Sequence, residues 1–449
     1  MSSHGISLVE AEARGVLGEY DHQLSFPAEE EFAIIYGPNG VGKTKFLEII
    51  HAMSRLDGRT LSRLPFREAE LRFSDATTLQ VSSADELDTD SSEKRQRTRN
   101  LRFELRRGVE DSEVWFYRGD SFEDWLAENT SWRQFDDFLW EDLHDGELCS
   151  LEELQHRFSK TEGAGDSYPA VFRGLRRSIN SYLIETQRLR IENALEPRRG
   201  MPIRPGHRRK HSSKIAEHAA KMRNLVNDAQ THHSTITQQL DRTFPNRVLE
   251  NTDARSLLDS AQIRQRYEEQ DEFRSRLGRV ASVGLAEPLS LPDRELENWE
   301  LRLLALYLED AKKKLAPFEE LLKKIELLEE IINTRLLRKK LRVTAKDGLR
   351  VQHNESGRSI DLDSLSSGEQ HEIILMFDLL FNVPRGALVL IDEPEISLHV
   401  VWQLAFIPDV QRIAELAGFR FVVATHSPQI INDAWDRATA LGPEEVPFA

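Results

Sequence analysis

At 449 residues the chain is long enough for two or three domains, and its 30% charged and 39% apolar content suits a water-exposed protein rich in surface helix. A net charge of −16 argues against a sequence-independent nucleic-acid coat, because such binding rests on Lys and Arg against phosphates. No apolar run approaches the ~18–20 residues that span a bilayer, and Met1-Ser-Ser-His-Gly5 lacks the basic-then-apolar order of a signal peptide. The single cysteine, Cys149, permits no internal disulfide, so a reducing, cytoplasmic setting is expected. Its acidic neighbours Glu147 and Glu152 would not lower a thiol pKa, so Cys149 reads as inert.

Residues 5–36 read as strands, ending in the short buried strand Phe32–Tyr36. The loop that follows, Gly37-Pro-Asn-Gly-Val-Gly-Lys-Thr44, fits G-x-x-x-x-G-K-[ST] in full. Its glycines let backbone N–H groups curl around phosphate oxygens. The helix after it, apolar at 46, 47, 49, 50 and 53, points its positive end at the same place. Asn39, Gly40, Val41, Gly42, Lys43, Thr44 and Lys45 are therefore candidate nucleotide-binding residues. Lys43 would reach the β- and γ-phosphates and the Thr44 hydroxyl would hold Mg²⁺.

Glu70–Phe73, Leu101–Leu105 and Val114–Tyr117 alternate as half-buried antiparallel strands do, with a polar loop at 82–100 between them. Residues 120–160 read as helical, with Trp125, Trp132 and Trp140 packing a small subdomain. Tyr182–Gln187 reads as a strand, and Gln187 at its end is a candidate contact for Mg²⁺ and the attacking water. A Pro-, Gly- and Arg-rich boundary at 197–210 carries Arg198, Arg199, Arg204, Arg208, Arg209 and Lys210. The 82–100 loop and its exit carry Lys94, Arg95, Arg97, Arg99 and Arg102. Either cluster could grip DNA phosphates. A solvated charge run beside acidic neighbours is the plainer reading, and neither cluster has the aromatics that base stacking needs.

From 212 to 340 the pattern is helical, best seen in Phe318, Leu322, Ile325, Leu328, Ile332 and Leu336, with Pro317 expected to begin that helix or kink the one before it. This reads as an insertion of helical hairpins forming a short antiparallel coiled coil. Asp347-Gly348 between alternating segments predicts a hairpin with a type I′ turn. The strand Ala387–Ile391 delivers Asp392 and Glu393, a Mg²⁺ ligand and a general base for the attacking water. The strand Phe419–Ala424 delivers His426, placed to reach a γ-phosphate.

Together these motifs mark a resemblance. Leu365-Ser-Ser-Gly-Glu-Gln370 resembles the signature of ABC-type ATPases. Asp392-Glu-Pro-Glu-Ile-Ser-Leu-His399 resembles the Walker B and D-loop of their RecF, SMC and OLD branch, and the His426 segment resembles the switch histidine. The resemblance covers roughly 1–75 and 341–435, and Ser367 stands where transporter versions carry glycine. It implies an α/β fold: an ABC-type P-loop NTPase with an antiparallel β subdomain and a helical, short coiled-coil insertion. It implies ATP and Mg²⁺ as cofactors, with Lys43, Glu393 and His426 catalytic and Thr44, Asp392 and Gln187 at the metal. It also implies a homodimer or higher homo-oligomer, in which Ser366, Ser367, Gly368 and Glu369 of one copy meet the nucleotide of another. The expected division is an ATPase lobe at 1–200, the helical insertion at 201–340 and a second ATPase lobe at 341–449.

Within that branch the Ile396–Gln403 run is most similar to bacterial anti-phage ATPases of the PARIS, Septu and OLD-like kind. Only 23 residues follow His426, too few for the nuclease domain of OLD proteins, so the effector is expected on a separate chain, a nuclease or toxin from a neighbouring gene. A phage protein would be the trigger. The rival expectation is a RecF-like repair or maintenance ATPase on duplex DNA.

Overall fold

The computed structural model describes residues 6–83, 100–108, 111–117, 121–135, 139–144, 146–158, 169–185, 213–250, 258–281 and 291–442. An antiparallel sheet opens the chain: β1 (Leu8–Val16), β2 (Tyr20–Ser25), β4 (Glu68–Phe73), β5 (Thr77–Ser83), β6 (Leu101–Arg107) and β7 (Asp111–Tyr117), in spatial order β2-β1-β4-β5-β6-β7. β5 was not among the expected strands, and its last two residues take the start of the loop expected at 82–100; it pairs with both β4 and β6. Arg102, one of the basic residues set aside as a phosphate grip, lies on β6 and pairs with Glu104. The other basic residues of both clusters, and Gln187, lie outside the described residues.

A parallel sheet carries the chemistry. Its order is β11 (Ser181–Glu185), β15 (Leu388–Asp392), β16 (Arg420–Thr425), β3 (Phe32–Tyr36), β17 (Ala438–Ala440). The strands are apolar on both faces, as parallel strands covered on each side must be. Phe32, Ile34, Val389, Ile391, Phe421 and Val423 face one core. Ala33, Ile35, Leu388, Leu390, Val422 and Ala424 face the other, which is shared with helix α1 (Lys43–Ser54) and the antiparallel sheet. Arg420 fastens the two sheets. Its guanidinium donates to the carbonyls of Leu8, Phe26, Pro27 and Glu30 and lies 3.6 Å above the Phe26 ring. β17 was not expected, because a three-residue Ala-Thr-Ala strand has too little apolar surface to announce itself. The backbone edge of β3 places it.

Residues 120–160 depart from the helical expectation. Helix α3 (Ser121–Asn129) leads into a small sheet of β8 (Trp132–Gln134), β9 (Leu139–Asp142) and β10 (Leu148–Ser150), followed by α4 (Leu151–Phe158). Trp132 and Trp140 sit on strands, and together with Leu126, Cys149 and Leu154 they form a satellite core, so the packing role holds although the element type does not. Burial, then Glu147, pushes the Cys149 thiol up, as an inert cysteine requires.

Short α2 (Gly58–Arg63) and α5 (Ala170–Ser178) complete the first half, and three long helices follow: α6 (Lys214–Glu250), α7 (Ser260–Val280) and α8 (Asn298–Arg335). Pro317 neither begins a helix nor splits one. α8 starts at a capping box on Glu297 and runs through Pro317, because Leu315, Phe318, Leu322, Ile325 and Leu328 hold one continuous buried stripe across it. The hairpin of β12 (Lys339–Thr344) and β13 (Gly348–His353) also differs from expectation. Thr344 pairs with Gly348, so the loop has three residues rather than two, and Gly348 takes the left-handed position at φ 71°. β14 (Ser359–Ile360) closes that sheet, and helix α9 (Ser367–Phe377) continues as a π-turn over Asp378–Asn382. Helices α10 (Val400–Gln403), α11 (Phe406–Ala417) and α12 (Pro428–Ile431) surround the last strands. The fold is thus α/β, with an antiparallel sheet beside a parallel core and a long helical, coiled-coil-like insertion.

Candidate functional site

Parallel register brings the motif residues to one edge. Glu185 stands opposite Asp392, Asp392 opposite Ala424, and Tyr36 opposite Thr425. The glycine-rich loop, the paired acids and His426 therefore leave the same end of the sheet, where parallel α/β folds place ligands.

The loop depends on its glycines. Gly42 has φ 95°, and a Cβ there would lie 2.8 Å from Val16 Cγ1. A Cβ at Gly37 would lie 2.3 Å from the Leu441 carbonyl oxygen. The loop is also braced from below, where the buried His22 ring, tilted on Phe46, lies with Nε2 2.7 Å from the Val41 oxygen. Lys43, 4% exposed, donates to the carbonyls of Gly37 and Pro38 at 2.9 and 3.1 Å. Burial lowers its pKa against the opposing pull of Glu393, Glu395 and Asp392. Asn39 and Gly40 lie exposed on the outside of the loop, while Lys45 pairs with Glu48 one turn on and is committed to its own helix surface.

Opposite the loop, Thr44 Oγ1 donates to Asp392 Oδ2 at 2.8 Å. Burial raises Asp392 to about 6, with Glu393 and Glu185 adding to the effect and Thr44 and Lys43 opposing it. A carboxylate held up this way, beside a hydroxyl and two further acids, is suited to a cation. Magnesium in nucleotide sites uses one or two carboxylates together with phosphate oxygens, so Thr44 and Asp392 fit the group. Glu393 occupies a left-handed conformation, φ 44° and ψ 56°, unusual for a non-glycine residue. Its N–H donates to the Ala424 carbonyl at 2.8 Å, which fixes the turn that carries the carboxylate out of the sheet.

His426 stands beside both acids of this turn, its Nδ1 3.0 Å from Glu395 Oε1 and 3.7 Å from Glu393 Oε1. Glu395 was not among the residues expected at the site, although it is the third acid of Asp392-Glu-Pro-Glu395. Its burial at 8% exposure and its bonds to Thr425 and His426 identify it. Glu185 was likewise missed, and its strand-end register is visible only once β11 is paired with β15.

The signature segment forms the start of α9. Ser366 caps the helix, and Glu369 closes a capping box with it. Lys339 holds the Glu369 carboxylate at 2.9 Å through both oxygens. Glu369 thus has a structural task, while Ser366, Ser367 and Gly368 form the helix N-terminus. Farther along, Arg335 of α8 pairs with Glu372 of α9 and Asp409 of α11, and His218 of α6 lies 2.7 Å from Asp378.

Solved structures with which the chain shares a likeness include three SMC head domains. The first, from Pyrococcus furiosus with an extended coiled coil, bound to the C-terminal domain of ScpA, is 13% identical over 95% of this chain and 91% of that one, with a TM-score of 0.35. A second, an SMC head bound to the C-terminal winged-helix domain of ScpA, is 10% identical over 94% and 91%, with a TM-score of 0.36. The third, from Thermotoga maritima, is 11% identical over 98% and 99%, with a TM-score of 0.32. No curated protein matches the chain in sequence. Among the described residues no helix is long and apolar enough to cross a membrane. A family model described as "AAA domain, putative AbiEii toxin, Type IV TA system" matches residues 32–180 and 202–432, and the chain belongs to that family of ATP-binding domains.

Proposed function

We propose that the chain hydrolyses ATP with Mg²⁺ as an ABC-type ATPase, and that it does so at an interface between two copies of itself. The observation that carries this reading is the convergence of Lys43, Thr44, Asp392, Glu393 and His426 at one edge of the parallel sheet. The loop N–H groups and Lys43 would hold the phosphates, and Thr44 and Asp392 would hold the cation. Bound Mg²⁺ neutralises charge on the phosphate oxygens. Glu393 would take a proton from the attacking water, and His426 would contact the terminal phosphate. Gln187 remains a candidate for the water.

The exposed N-terminus of α9 would meet the nucleotide held by the second copy, through Ser366, Ser367 and Gly368. ATP contacts made only in the paired state would favour that state. Three links support transmission to the insertion: Arg335 to Glu372, His218 to Asp378 and Lys221 to Asn382. A shift of α9 on pairing would thereby move α6 and α8.

We further infer a role as sensor and scaffold in anti-phage defence, holding or releasing a separate effector, a nuclease or toxin, on a phage-derived trigger. The toxin–antitoxin wording of the family description supports a multi-component system of this kind. The test is to purify tagged Glu393→Gln from the native host with ATP and Mg²⁺ and identify what stays bound. A stoichiometric small protein supports the effector reading. Duplex DNA released by salt, with no protein, would replace it with the repair reading.

A further inference from the structure

We propose that Glu395 is a positioning residue for His426: it holds the imidazole with the proton on Nδ1, so that Nε2 is the nitrogen presented to the terminal phosphate. The proposal rests on the ATPase reading and names a residue that the motifs themselves do not assign.

Pro394 starts a short 3₁₀ turn over Pro394–Ser397, and this turn carries Glu395 back under the sheet edge instead of out to water. Glu395 Oε1 then accepts from the Thr425 hydroxyl at 2.6 Å and the His426 backbone N–H at 2.7 Å, and as a third neighbour His426 Nδ1 lies within ion-pair range of it at 3.0 Å. The first two fix the carboxylate irrespective of the imidazole. Only the third involves a choice. An oxygen that already accepts from the Thr425 hydroxyl and the His426 N–H acts as an acceptor, so the ring nitrogen facing it carries the proton. Glu393 Oε1, at 3.7 Å from the same nitrogen, lies beyond hydrogen-bond range and does not compete.

The opposite end of the ring is left for chemistry. Among the described residues His426 Nε2 makes no hydrogen bond, and the side chain is 40% exposed. The segment after the ring is braced too: Ser427 Oγ donates to Gln403 Oε1 at 2.8 Å, and Gln403 Nε2 donates to the Leu398 carbonyl at 3.2 Å. A histidine anchored at Nδ1 by a buried carboxylate has its ring orientation and tautomer set before any ligand arrives, the arrangement that serves bases and phosphate contacts elsewhere.

The test uses full-length protein labelled with ¹⁵N-histidine, with the His426 signals identified by their loss in His426→Gln. The expected result is an Nδ1–H signature in the wild type that moves towards Nε2–H in Glu395→Gln. Thr425→Val, which removes a brace without touching the ring, should leave that signature unchanged. In turnover, Glu395→Gln should lower kcat by roughly tenfold or more with little change in KM, and should cost nothing further in a His426→Gln background. Unchanged His426 nitrogen shifts in Glu395→Gln, or independent and multiplicative losses in the double variant, would overturn the proposal. Wild-type protein that turns over no ATP would sink the ATPase reading instead, and the nitrogen shifts would still decide the role of Glu395.

Discussion

Thr44 and Asp392 stand 348 positions apart in the chain and share a 2.8 Å hydrogen bond. The bond joins the helix after β3 to the end of β15, so the proposed cation site would be assembled by the sheet and not by either motif alone. Replacing Thr44 with Val keeps the shape and removes the hydroxyl. Phosphate release should fall by about two orders of magnitude, and the Mg²⁺ concentration for half-maximal rate should rise. Thr44→Ser should stay near wild type. A Thr44→Val enzyme with an unchanged Mg²⁺ dependence would remove the hydroxyl from the metal's ligands.

Asp392 should show the opposite signs for stability and activity. Its folded pKa is raised to about 6 from 3.8, chiefly by burial. In the window between those values the folded chain binds more protons than the unfolded one, so stability falls as pH rises through it and the penalty is complete above about 6. In EDTA at pH 7, Asp392→Asn should therefore raise stability by about 1–3 kcal/mol, read as a Tm higher by a few degrees, while abolishing turnover. A lower Tm would mean that the charged form is favoured by contacts stronger than its burial.

Much of this site was legible because its residues sit at the ends of strongly apolar strands. Phe32–Tyr36, Leu388–Asp392 and Arg420–Thr425 each contain a run too hydrophobic for anything but a doubly covered sheet, and each is followed by a polar group of defined chemistry. What could not be read was set by tertiary partners. The strands of three and four residues that carry Trp132 and Trp140 are too short for a period of two to appear. Pro317 lies inside α8 because packing on both sides of it outweighs a missing N–H. Glu395 looks like any surface acid until the turn after Pro394 buries it against Thr425.

The ion-pair knot at Arg335 should be costly to break from one side. The guanidinium is 4% exposed and the Glu372 carboxylate 2% exposed, and Asp409 completes the group. Arg335→Met strands the buried Glu372 carboxylate and leaves the half-buried Asp409 only Arg412, at 3.8 Å, for an expected loss of about 3–5 kcal/mol in urea unfolding. Adding Glu372→Gln and Asp409→Asn should recover most of that loss, because the penalty comes from uncompensated charge. Recovery of less than half would point to lost packing of the arginine stem instead.

His51 makes the fold sensitive to mild acid. It lies in α1, its Nδ1 2.9 Å from Ser181 Oγ, and burial, with Arg55 adding, lowers its pKa to about 4. The neutral ring is the folded form. The unfolded chain takes up its proton near 6.5, so between 6.5 and 4 it binds more protons than the folded chain and stability falls as pH falls. The contribution lost across that window is on the order of 3 kcal/mol, and it is fully present above 6.5. The drop in urea midpoint between pH 7 and pH 5 should be smaller in His51→Phe than in the wild type. An equal drop in both proteins would assign the acid sensitivity to other groups.

Gly348 is where the long helix α6 seats on the β12–β13 hairpin. It closes the β12–β13 loop at φ 71°, and a Cβ there would lie 1.9 Å from the Ala219 carbonyl oxygen of α6 and 2.8 Å from its carbon. Both costs act together. A left-handed alanine is strained by roughly 1–2 kcal/mol, and the contact forces either the helix or the hairpin to move, because no side-chain rotation relieves a clash with backbone. Gly348→Ala should therefore lose more than about 2 kcal/mol, and hydrogen exchange should quicken around Ala219 and Met222 before it does in the parallel sheet. If the insertion reports nucleotide state through its seat on this hairpin, the same variant should retain ATP binding by the glycine-rich loop yet release partner proteins irrespective of nucleotide. A variant that is destabilised throughout, with exchange rising equally in β15 and β16, would show the seat to be part of one cooperative core and not a joint.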